Sequence, residues 1–194
     1  NPTAWVEIPA ERWRAVEELG AALELVRSNA ARLAKAIPEV QSNLGYVIDP
    51  RYARDTGDVA AVPGRIVNYM GEARPSGPPT FGASSHIARK ILALASRDPR
   101  ARSAMNIRYD PELVERAKAL GLKIAVVDRR REPEEVKKRE GGTMQWVVEE
   151  ALSQTGGAAP DLIVDLGDWG KEPQITVVGR TPTEVVEKVL KIVH

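Results

Sequence analysis

The stretch that leads from Gly82 into a predicted helix carries residue types that suit phosphate binding. It consists of a glycine, an alanine, two hydroxyl residues and a histidine, namely Gly82, Ala83, Ser84, Ser85 and His86. The first turn of a helix presents backbone N–H groups without intrahelical acceptors, at the positive end of the helix dipole. A glycine beside it lets a bound anion approach the backbone closely. The segment therefore predicts an anion site, and an ordinary helix cap is the alternative that uses the same residues.

Arg65 is the second candidate for chemistry, because it follows the turn residues Pro63 and Gly64. A guanidinium can hold a phosphate through two parallel hydrogen bonds, so Gly64 and Arg65 are predicted to contact a phosphorylated ligand. His86 is the one histidine besides His194, and this excludes a site built from several histidine ligands.

A second glycine turn precedes another predicted helix and contains Gly142, Thr143 and Met144. Its hydroxyl residue suits both a helix cap and a ligand contact. A plain cap after a charged helix explains the pattern equally well. If both turns bind ligands, the two together predict that two anionic groups are held at once.

Charged residues follow two predicted core strands, where open α/β sheets bind ligands. The residues predicted to contact substrate are Asp128, Arg129 and Arg130 after the first strand, and Asp165, Asp168 and Lys171 after the second. The carboxylates of the second group also suit Mg²⁺. A solvated charge run and a tight structural turn are the alternatives for these two segments.

Helical and extended segments of ordinary length alternate along the chain, which predicts a layered α/β domain. Shorter helices are predicted over 84–96, 110–120, 133–140, 143–154 and 182–192, and strands over 44–48, 58–62, 65–70, 122–127, 161–165 and 175–178. The segment 72–82 is rich in Gly, Pro and Ser and is predicted as a loop.

Proline positions set several predicted helix starts. Pro9 is predicted to open a long helix that runs to Ile37, with Trp13 on its apolar period. Asp98 and Asp110 each precede a proline, a pattern typical of a helix cap followed by a first-turn proline.

The composition bounds the classes of function. The 194 residues fit one domain, predicted to span 1–194. Lys and Arg number 28 against 27 Asp and Glu, so no overall charge favours nucleic acid or a membrane surface. Cysteine is absent, which excludes disulfides and a thiol nucleophile.

No segment predicts a membrane span or signal peptide, so a cytoplasmic protein is expected. The sparse Asn and Gln are typical of a thermophilic source.

These motifs form one ordered set that resembles the ThiN-type thiamine-phosphate synthase domain. The resemblance spans Ile37 to Ile192, most of the chain. It rests on the segments 38–45, 58–66, 81–89, 105–107, 128–130, 142–144, 165–168 and 170–173. Asn43, in the first of these segments, joins the predicted substrate-binding residues on this ground.

The resemblance implies a three-layer α/β/α sandwich with a mixed sheet, like the AraD-type class II aldolase fold. Aldolase chemistry is not implied, because the histidines of its metal site are missing. The implied reaction joins 4-amino-5-hydroxymethyl-2-methylpyrimidine diphosphate to hydroxyethylthiazole phosphate, with Mg²⁺ as the cofactor, and gives thiamine phosphate and diphosphate. The essential arginine and histidine of the family fall on Arg65 and His86, while the metal ligands stay unassigned.

The resemblance also bears on partners and on the rival function. In archaea such a domain often follows a pyrimidine kinase domain, so the chain is expected to be the C-terminal part of a longer polypeptide. Monomer and homo-oligomer both stay open. The alternative function is a non-catalytic sensor of thiamine phosphates in a transcription regulator. Such sensors tend to lack the arginine and the histidine that this chain has at Arg65 and His86, so an enzyme is predicted.

Overall fold

The computed structural model describes residues 4–139 and 141–193, which contain seven α-helices, nine strands and two short 3₁₀ turns. The helices are α1 (Ala4–Ser28), α2 (Ala30–Ala34), α3 (Ser85–Arg97), α4 (Pro111–Ala119), α5 (Glu134–Lys137), α6 (Gly142–Gln154) and α7 (Pro182–Ile192). The strands are β1 (Leu44–Val47), β2 (Val59–Ala61), β3 (Ile66–Tyr69), β4 (Glu72–Pro75), β5 (Thr80–Phe81), β6 (Ser103–Arg108), β7 (Ile124–Val127), β8 (Leu162–Asp165) and β9 (Gln174–Gly179). The 3₁₀ turns cover Thr56–Asp58 and Arg129–Arg131.

Seven of the described strands form one mixed sheet in the order β5-β2-β1-β6-β9-β8-β7, and β3 pairs with β4 in a separate hairpin. Strands β7 and β8 run parallel, with Val127 opposite Asp165, and the other neighbouring pairs of the large sheet are antiparallel. Because β7 and β8 are parallel, their carboxyl ends lie at the same edge, and the two charged segments that follow them start side by side.

Helices cover both faces of this sheet. Along β9, Ile175 and Val177 belong to the core shared with α1, α2, α4 and α7, whereas Val178 belongs to a core shared with α3 and α6. The alternation has the two-residue period of a strand that is buried on both sides. The predicted three-layer α/β/α sandwich with a mixed sheet is therefore confirmed.

The first helical stretch differs from its prediction in bounds and orientation. Helix α1 begins before Pro9, which lies inside it, and the chain leaves helical geometry at Asn29 before α2 begins. Pro9 is the sixth residue of α1, so its missing N–H and its ring affect only the first turns of a 25-residue helix. Trp13 is 67 % exposed, because the buried stripe of α1 runs instead through Ala15 and Leu19.

Two further predictions are wrong. Asp98 starts no helix: it is the C-cap residue of α3, and its carboxylate accepts hydrogen bonds from the backbone N–H of Arg100 (3.1 Å) and of Ala159 (3.2 Å) in a turn that precedes β6. The segment 72–82 is not a continuous loop, because it contains β4 and β5. Strand β4 folds back on β3 across a turn in which Met70 (φ 52°) and Gly71 (φ 82°) are both left-handed.

The remaining helix predictions are confirmed, with shorter bounds for the one over 133–140. Helix α5 ends at Lys137, and Glu140 lies outside the described residues. Helix α4 begins at Pro111, with the Asp110 carboxylate accepting from the Glu112 N–H, as a cap followed by proline predicts. The described helices include none with the length and apolar character of a membrane span.

Candidate active site

One cleft of about 820 Å³ collects most of the residues that the sequence singles out. Its wall is formed by the starts of α3 and α6, the turn between β2 and β3, and the segments that follow β7 and β8. Twelve predicted residues line it, namely Asn43, Gly64, Arg65, Ala83, Ser84, Ser85, His86, Arg129, Thr143, Met144, Asp165 and Lys171. Segments as distant in sequence as those of Asn43 and Lys171 thus meet at one site.

Five predicted residues do not line the cleft. Asp128 and Arg130 pair with each other (2.7 Å) on the surface, and Asp168 pairs with Lys137 (3.4 Å). Gly82 lies just outside, with a left-handed φ of 73° and its N–H bonded to the carbonyl of Val59. The fifth, Gly142, is buried beneath the helix start that Thr143 and Met144 extend into the cleft. These residues shape or border the site rather than face it.

The start of α3 is open to a ligand. Ser84 is its N-cap residue in an extended conformation, and no side-chain oxygen caps the first turn. Ser85 and His86 are exposed there and line the cleft. The first-turn N–H groups and two hydroxyls therefore face a space in which an anion can bind.

Arg65 reaches the cleft from a strained turn. Its φ of 70° is left-handed, a conformation that costs a residue other than glycine about 1–3 kcal/mol and is concentrated at functional sites. One guanidinium N–H donates to the carbonyl oxygen of Val40, which fixes the group at the cleft wall. The rest of the guanidinium has the planar donor geometry that suits a phosphate.

Asn43 holds this turn in position. Its side-chain oxygen accepts from the Val62 N–H and its side-chain nitrogen donates to the Val62 carbonyl, each at 3.0 Å. The residue is 5 % exposed, so these bonds are made in a dry environment. The Asn43 N–H in turn donates to the side chain of Asn106 (2.7 Å), which donates to the carbonyl of Gln41 (3.0 Å). Asn43 is thus a positioning residue for the Arg65 turn.

The most buried charged residues of the cleft, here called the cleft floor, are Lys90, Arg129 and Asp165, and Thr176 is buried beneath them. Arg129 and Asp165 form a buried ion pair, Nε to Oδ2, at 3.3 Å. The Lys90 ammonium donates to the hydroxyl of Thr176 at 2.8 Å. Burial, reinforced by the charge of Arg129, lowers the pKa of Lys90 to about 8, although Asp165 acts in the opposite direction.

Several cleft residues are missing from the sequence prediction. They are Val40, Gln41, Ile87, Arg89, Lys90, Asn106, Lys137, Arg139, Gly141, Gly170, Glu172 and Gln174. A signal existed for Lys90, because it follows His86 by four residues and so lies one turn further along the same side of α3. Asn106 also stands in one of the segments that carry the family resemblance.

Positive charge is concentrated in the cleft. Its described lining holds seven Lys or Arg residues against the carboxylates of Asp165 and Glu172, whereas the chain as a whole has a net charge of +1. The seven cations are Arg65, Arg89, Lys90, Arg129, Lys137, Arg139 and Lys171. Such a surface attracts anionic ligands carrying several charges.

The same environment holds His86 neutral. Partial desolvation at the cleft wall lowers the pKa of His86 below its ordinary value of 6.5, even though part of the ring is still exposed. Four nearby cations lower the pKa further, namely Lys90, Arg65, Arg89 and Arg129. An anion bound beside the ring reverses the second effect and makes protonation of His86 favourable.

The carboxylates of the cleft fit a metal that a ligand brings with it. Among the described residues, no three His, Cys, Asp or Glu side chains are grouped to hold a metal. Glu172 nevertheless has a buried Oε2 atom without a hydrogen-bond partner. Mg²⁺ is commonly held by one or two carboxylates together with substrate phosphates, so Glu172 and Asp165 suit such a site.

Comparisons with known proteins agree with these features. A family model described as Thiamine-phosphate synthase ThiN matches residues 18–191. The thiamine-phosphate synthase ThiN of Methanothermobacter thermautotrophicus is 42 % identical over 179 residues, which cover 92 % of each chain. The bifunctional thiamine biosynthesis protein ThiDN of Methanocaldococcus jannaschii is 44 % identical over 156 residues, 79 % of this chain and 35 % of that protein. Neither relative supports the alternative of a sensor domain.

Solved structures show the same relationship. The C-terminal domain of a phosphomethylpyrimidine kinase superposes with a TM-score of 0.88 at 45 % identity, covering 94 % of this chain and 100 % of that one. The L-fuculose-1-phosphate aldolase of Thermus thermophilus has a TM-score of 0.50 at 14 % identity, covering 91 % of this chain and 87 % of that one. The second match concerns the fold alone, and it confirms the predicted likeness to class II aldolases.

Proposed function

This chain belongs to the thiamine-phosphate synthase ThiN family, and from that premise we infer that its cleft forms thiamine phosphate from two anionic substrates. The substrates are 4-amino-5-hydroxymethyl-2-methylpyrimidine diphosphate and hydroxyethylthiazole phosphate. The observation that carries this inference is the meeting of two helix starts and seven cationic side chains in one cleft. A cleft of about 820 Å³ lies within the size range of small-molecule sites.

The reaction needs a stabilised leaving group more than a strong base. The bond between the pyrimidinylmethyl carbon and the diphosphate oxygen breaks, and its electron pair leaves with the diphosphate. The lone pair of the thiazole nitrogen then forms the new carbon–nitrogen bond to the resonance-stabilised cation. The protein's work is to hold both substrates in line and to stabilise the charge that grows on the diphosphate.

Arg65 and His86 are the groups that act on the leaving diphosphate. Arg65 clamps it with parallel hydrogen bonds from a guanidinium that the Val40 carbonyl already orients. His86 is neutral in the free protein. It takes a proton from solvent when the phosphate groups of the substrates bind, and then donates a hydrogen bond to a diphosphate oxygen. The open first turn of α3 adds backbone donors at the same end of the cleft.

The second helix start serves the other substrate. Thr143 and Met144 at the start of α6 also line the cleft, together with Lys137 at the end of α5 and Arg139 just after it. These residues bind the phosphate of hydroxyethylthiazole phosphate. With the thiazole phosphate at the start of α6, the more highly charged diphosphate lies beside Arg65, His86 and the start of α3.

Mg²⁺ completes the proposal as a cofactor that enters with the diphosphate. Glu172, through its unpartnered Oε2 atom, and Asp165 supply the protein oxygens that would hold it. When bound, the ion neutralises charge on the diphosphate. Asp165 already accepts from the Gly167 N–H at 3.0 Å and pairs with Arg129, so Glu172 is the less committed ligand.

Synthesis from the two substrates tests the proposal directly. The protein is incubated with both phosphorylated substrates and MgCl₂, and thiamine phosphate is measured by oxidation to its fluorescent thiochrome derivative. Formation that depends on both substrates and is lost with EDTA is the expected result. A folded protein that binds both substrates without forming product would contradict the proposed function.

A further inference from the structure

Lys90 is a buried ammonium group with little compensation from the protein. It is 4 % exposed, yet it lines the cleft. An ammonium has three N–H donors, and the hydrogen bond that the structure gives it among the described residues is the one to Thr176. Burial of a charge is unfavourable unless the group is paired and hydrogen-bonded.

The nearby carboxylate does not serve Lys90 alone. Asp165 acts on Lys90 electrostatically, but it forms its own ion pair with Arg129 at 3.3 Å and accepts from the Gly167 N–H. The charge of Arg129 opposes the effect of Asp165 on Lys90. The cleft floor therefore carries two cations and one carboxylate, and it lacks one negative charge.

The geometry of α3 relates this deficit to the open helix start. Lys90 follows His86 by four residues, so the two side chains lie on one side of the helix, about 6 Å apart along its axis. An anion bound at the helix start must extend inward to reach Lys90. A ligand with two linked phosphoryl groups has the length and the charge for both positions, whereas a single phosphate fits one.

We propose that Lys90 is a diphosphate-binding residue, which holds one phosphoryl group at the cleft floor while Arg65 and the start of α3 hold the other. This inference rests on the proposed function and names the residue that completes the leaving-group site. Lys90 touches the group that departs in the reaction, so it acts on both binding and turnover. Thr176 is its positioning partner, since its hydroxyl holds the ammonium in place.

Calorimetric titration with inorganic diphosphate and with orthophosphate tests the proposal without any turnover. Lys90→Met retains the length of the side chain and removes the charge. We expect its dissociation constant for diphosphate to rise by about tenfold or more, because hydrogen bonds between charged groups are strong. For orthophosphate we expect the dissociation constant to rise by less than about threefold, an effect as small as that of a solvent-screened charge contact. Lys138→Met, at an exposed residue outside the cleft lining, is the matched control and should bind both anions as the wild type does.

Thermal unfolding separates ligand binding from a structural role. We expect the melting temperature of Lys90→Met to equal or exceed that of the wild type without ligand, because an undercompensated buried charge is removed. Lys90→Gln retains a donor for Thr176 and repeats the titration in a second background. Unchanged diphosphate binding in these variants would overturn the proposal. So would unfolding of both variants, because Lys90 would then be a structural residue. Loss of affinity for hydroxyethylthiazole phosphate rather than diphosphate would overturn it as well.

The outcomes for Lys90 and for the proposed function are distinct. If the wild type forms thiamine phosphate and Lys90→Met forms it at the same rate, the role of Lys90 is wrong and the function stands. If the wild type binds diphosphate through Lys90 but forms no thiamine phosphate, the diphosphate site stands and the function is wrong.

Discussion

The two helix starts in the cleft have similar sequences but differ in structure. Both combine glycine with a hydroxyl residue, Gly82 with Ser84 before α3 and Gly142 with Thr143 at α6. At α3 the glycine has open surroundings, since a Cβ atom built on Gly82 would meet nothing closer than 3.9 Å. At α6 the glycine is packed, since a Cβ atom on Gly142 would lie 2.7 Å from the Val136 carbonyl oxygen.

The backbone hydrogen bonds at the two helix starts also differ. The Gly142 N–H donates to the carbonyl of Arg139 at 3.0 Å, so it serves the junction of α5 with α6. No side-chain hydrogen bond caps either helix, but the first turn of α3 faces the cleft beside His86. The α3 start thus offers backbone donors to a ligand, whereas the α6 start depends more on the side chains of Thr143 and the neighbouring cations. A shared local motif does not define a shared role.

The largest expected effect is at Arg65, on the α3 side of the cleft. Arg65→Ala should lower kcat/KM by about 10²–10³ or more, as for removal of a preorganised donor to developing negative charge. The fold should persist, because the Arg65 side chain is exposed and the turn is held by Asn43. Steady-state kinetics and circular dichroism measure the two effects.

Arg74→Ala is the control for Arg65. Arg74 pairs with Glu72 on the neighbouring hairpin and does not line the cleft, so near-normal activity is expected. Near-normal turnover by folded Arg65→Ala would remove the residue from the mechanism. It would also remove the reason to expect larger losses of activity from substitutions near α3 than from substitutions near α6.

The next effect is at His86. His86→Ala should lower kcat by about 10², at the lower end of the effect of a general acid. His86→Asn retains a donor without a transferable proton and should be the milder change if hydrogen bonding alone matters. The loss should appear in kcat more than in the KM for hydroxyethylthiazole phosphate, since His86 acts on the other substrate. Full activity in both variants would reduce His86 to a helix-start residue.

The pKa of His86 also gives stability a defined pH dependence. Its pKa is lower in the folded protein than in the unfolded chain, so the unfolded chain binds more protons near and below pH 6.5. The His86 contribution to stability is therefore present above this pH and is lost as the pH falls. Urea unfolding of wild type and His86→Asn between pH 5 and 8 should show a relative loss of wild-type stability at the acid end. A constant difference across this range would contradict the lowered pKa.

Local signals in the sequence predicted the fold where the structure is local. The cap Asp110 with Pro111 starts α4 because both residues act within one turn. The same pair at Asp98 and Pro99 does not start a helix, because Asp98 bonds to Ala159, which is 61 residues away in sequence. The β3–β4 hairpin was missed since Met70, an unusual residue for that position, takes a left-handed φ of 52°.

The candidate site divides in a similar way. Arg65 and His86 were predicted because a turn and a helix start are recognisable from neighbouring residues. Lys90 was missed, because its burial and its bond to Thr176 depend on packing α3 against β9, 86 residues further along the chain. Asp128 and Arg130 were predicted to face a ligand, but a mutual ion pair directs them to the surface. Which charges face the cleft is decided by these tertiary contacts.

Alanine substitutions at Gly82 and Gly142 test whether the two helix starts differ in packing. Gly142→Ala should destabilise the fold by about 1–3 kcal/mol, since overpacking forces the Val136 carbonyl to move. Gly82→Ala should cost about 1–2 kcal/mol, because of its left-handed φ of 73°, and should raise the KM of the pyrimidine diphosphate more than Gly142→Ala does. Thermal unfolding and kinetics are measured on the same preparations. Equal changes in both KM and stability would mean that the two helix starts are equivalent.

The smallest expected effect is at Lys137, on the α6 side. Its ammonium pairs with Glu134 (3.0 Å) and Asp168 (3.4 Å), so any phosphate that it binds competes with two carboxylates. Lys137→Met should therefore raise the KM for hydroxyethylthiazole phosphate by about threefold, as expected of a screened charge contact, and leave kcat nearly unchanged. The increase should shrink at high salt. Lys138→Met is the matched control at the next residue, and we expect it to leave both constants unchanged. A shift in the KM of the pyrimidine diphosphate instead would reverse the assignment of the two substrates to the two helix starts, because Lys137 lies with α6 and Arg65 with α3.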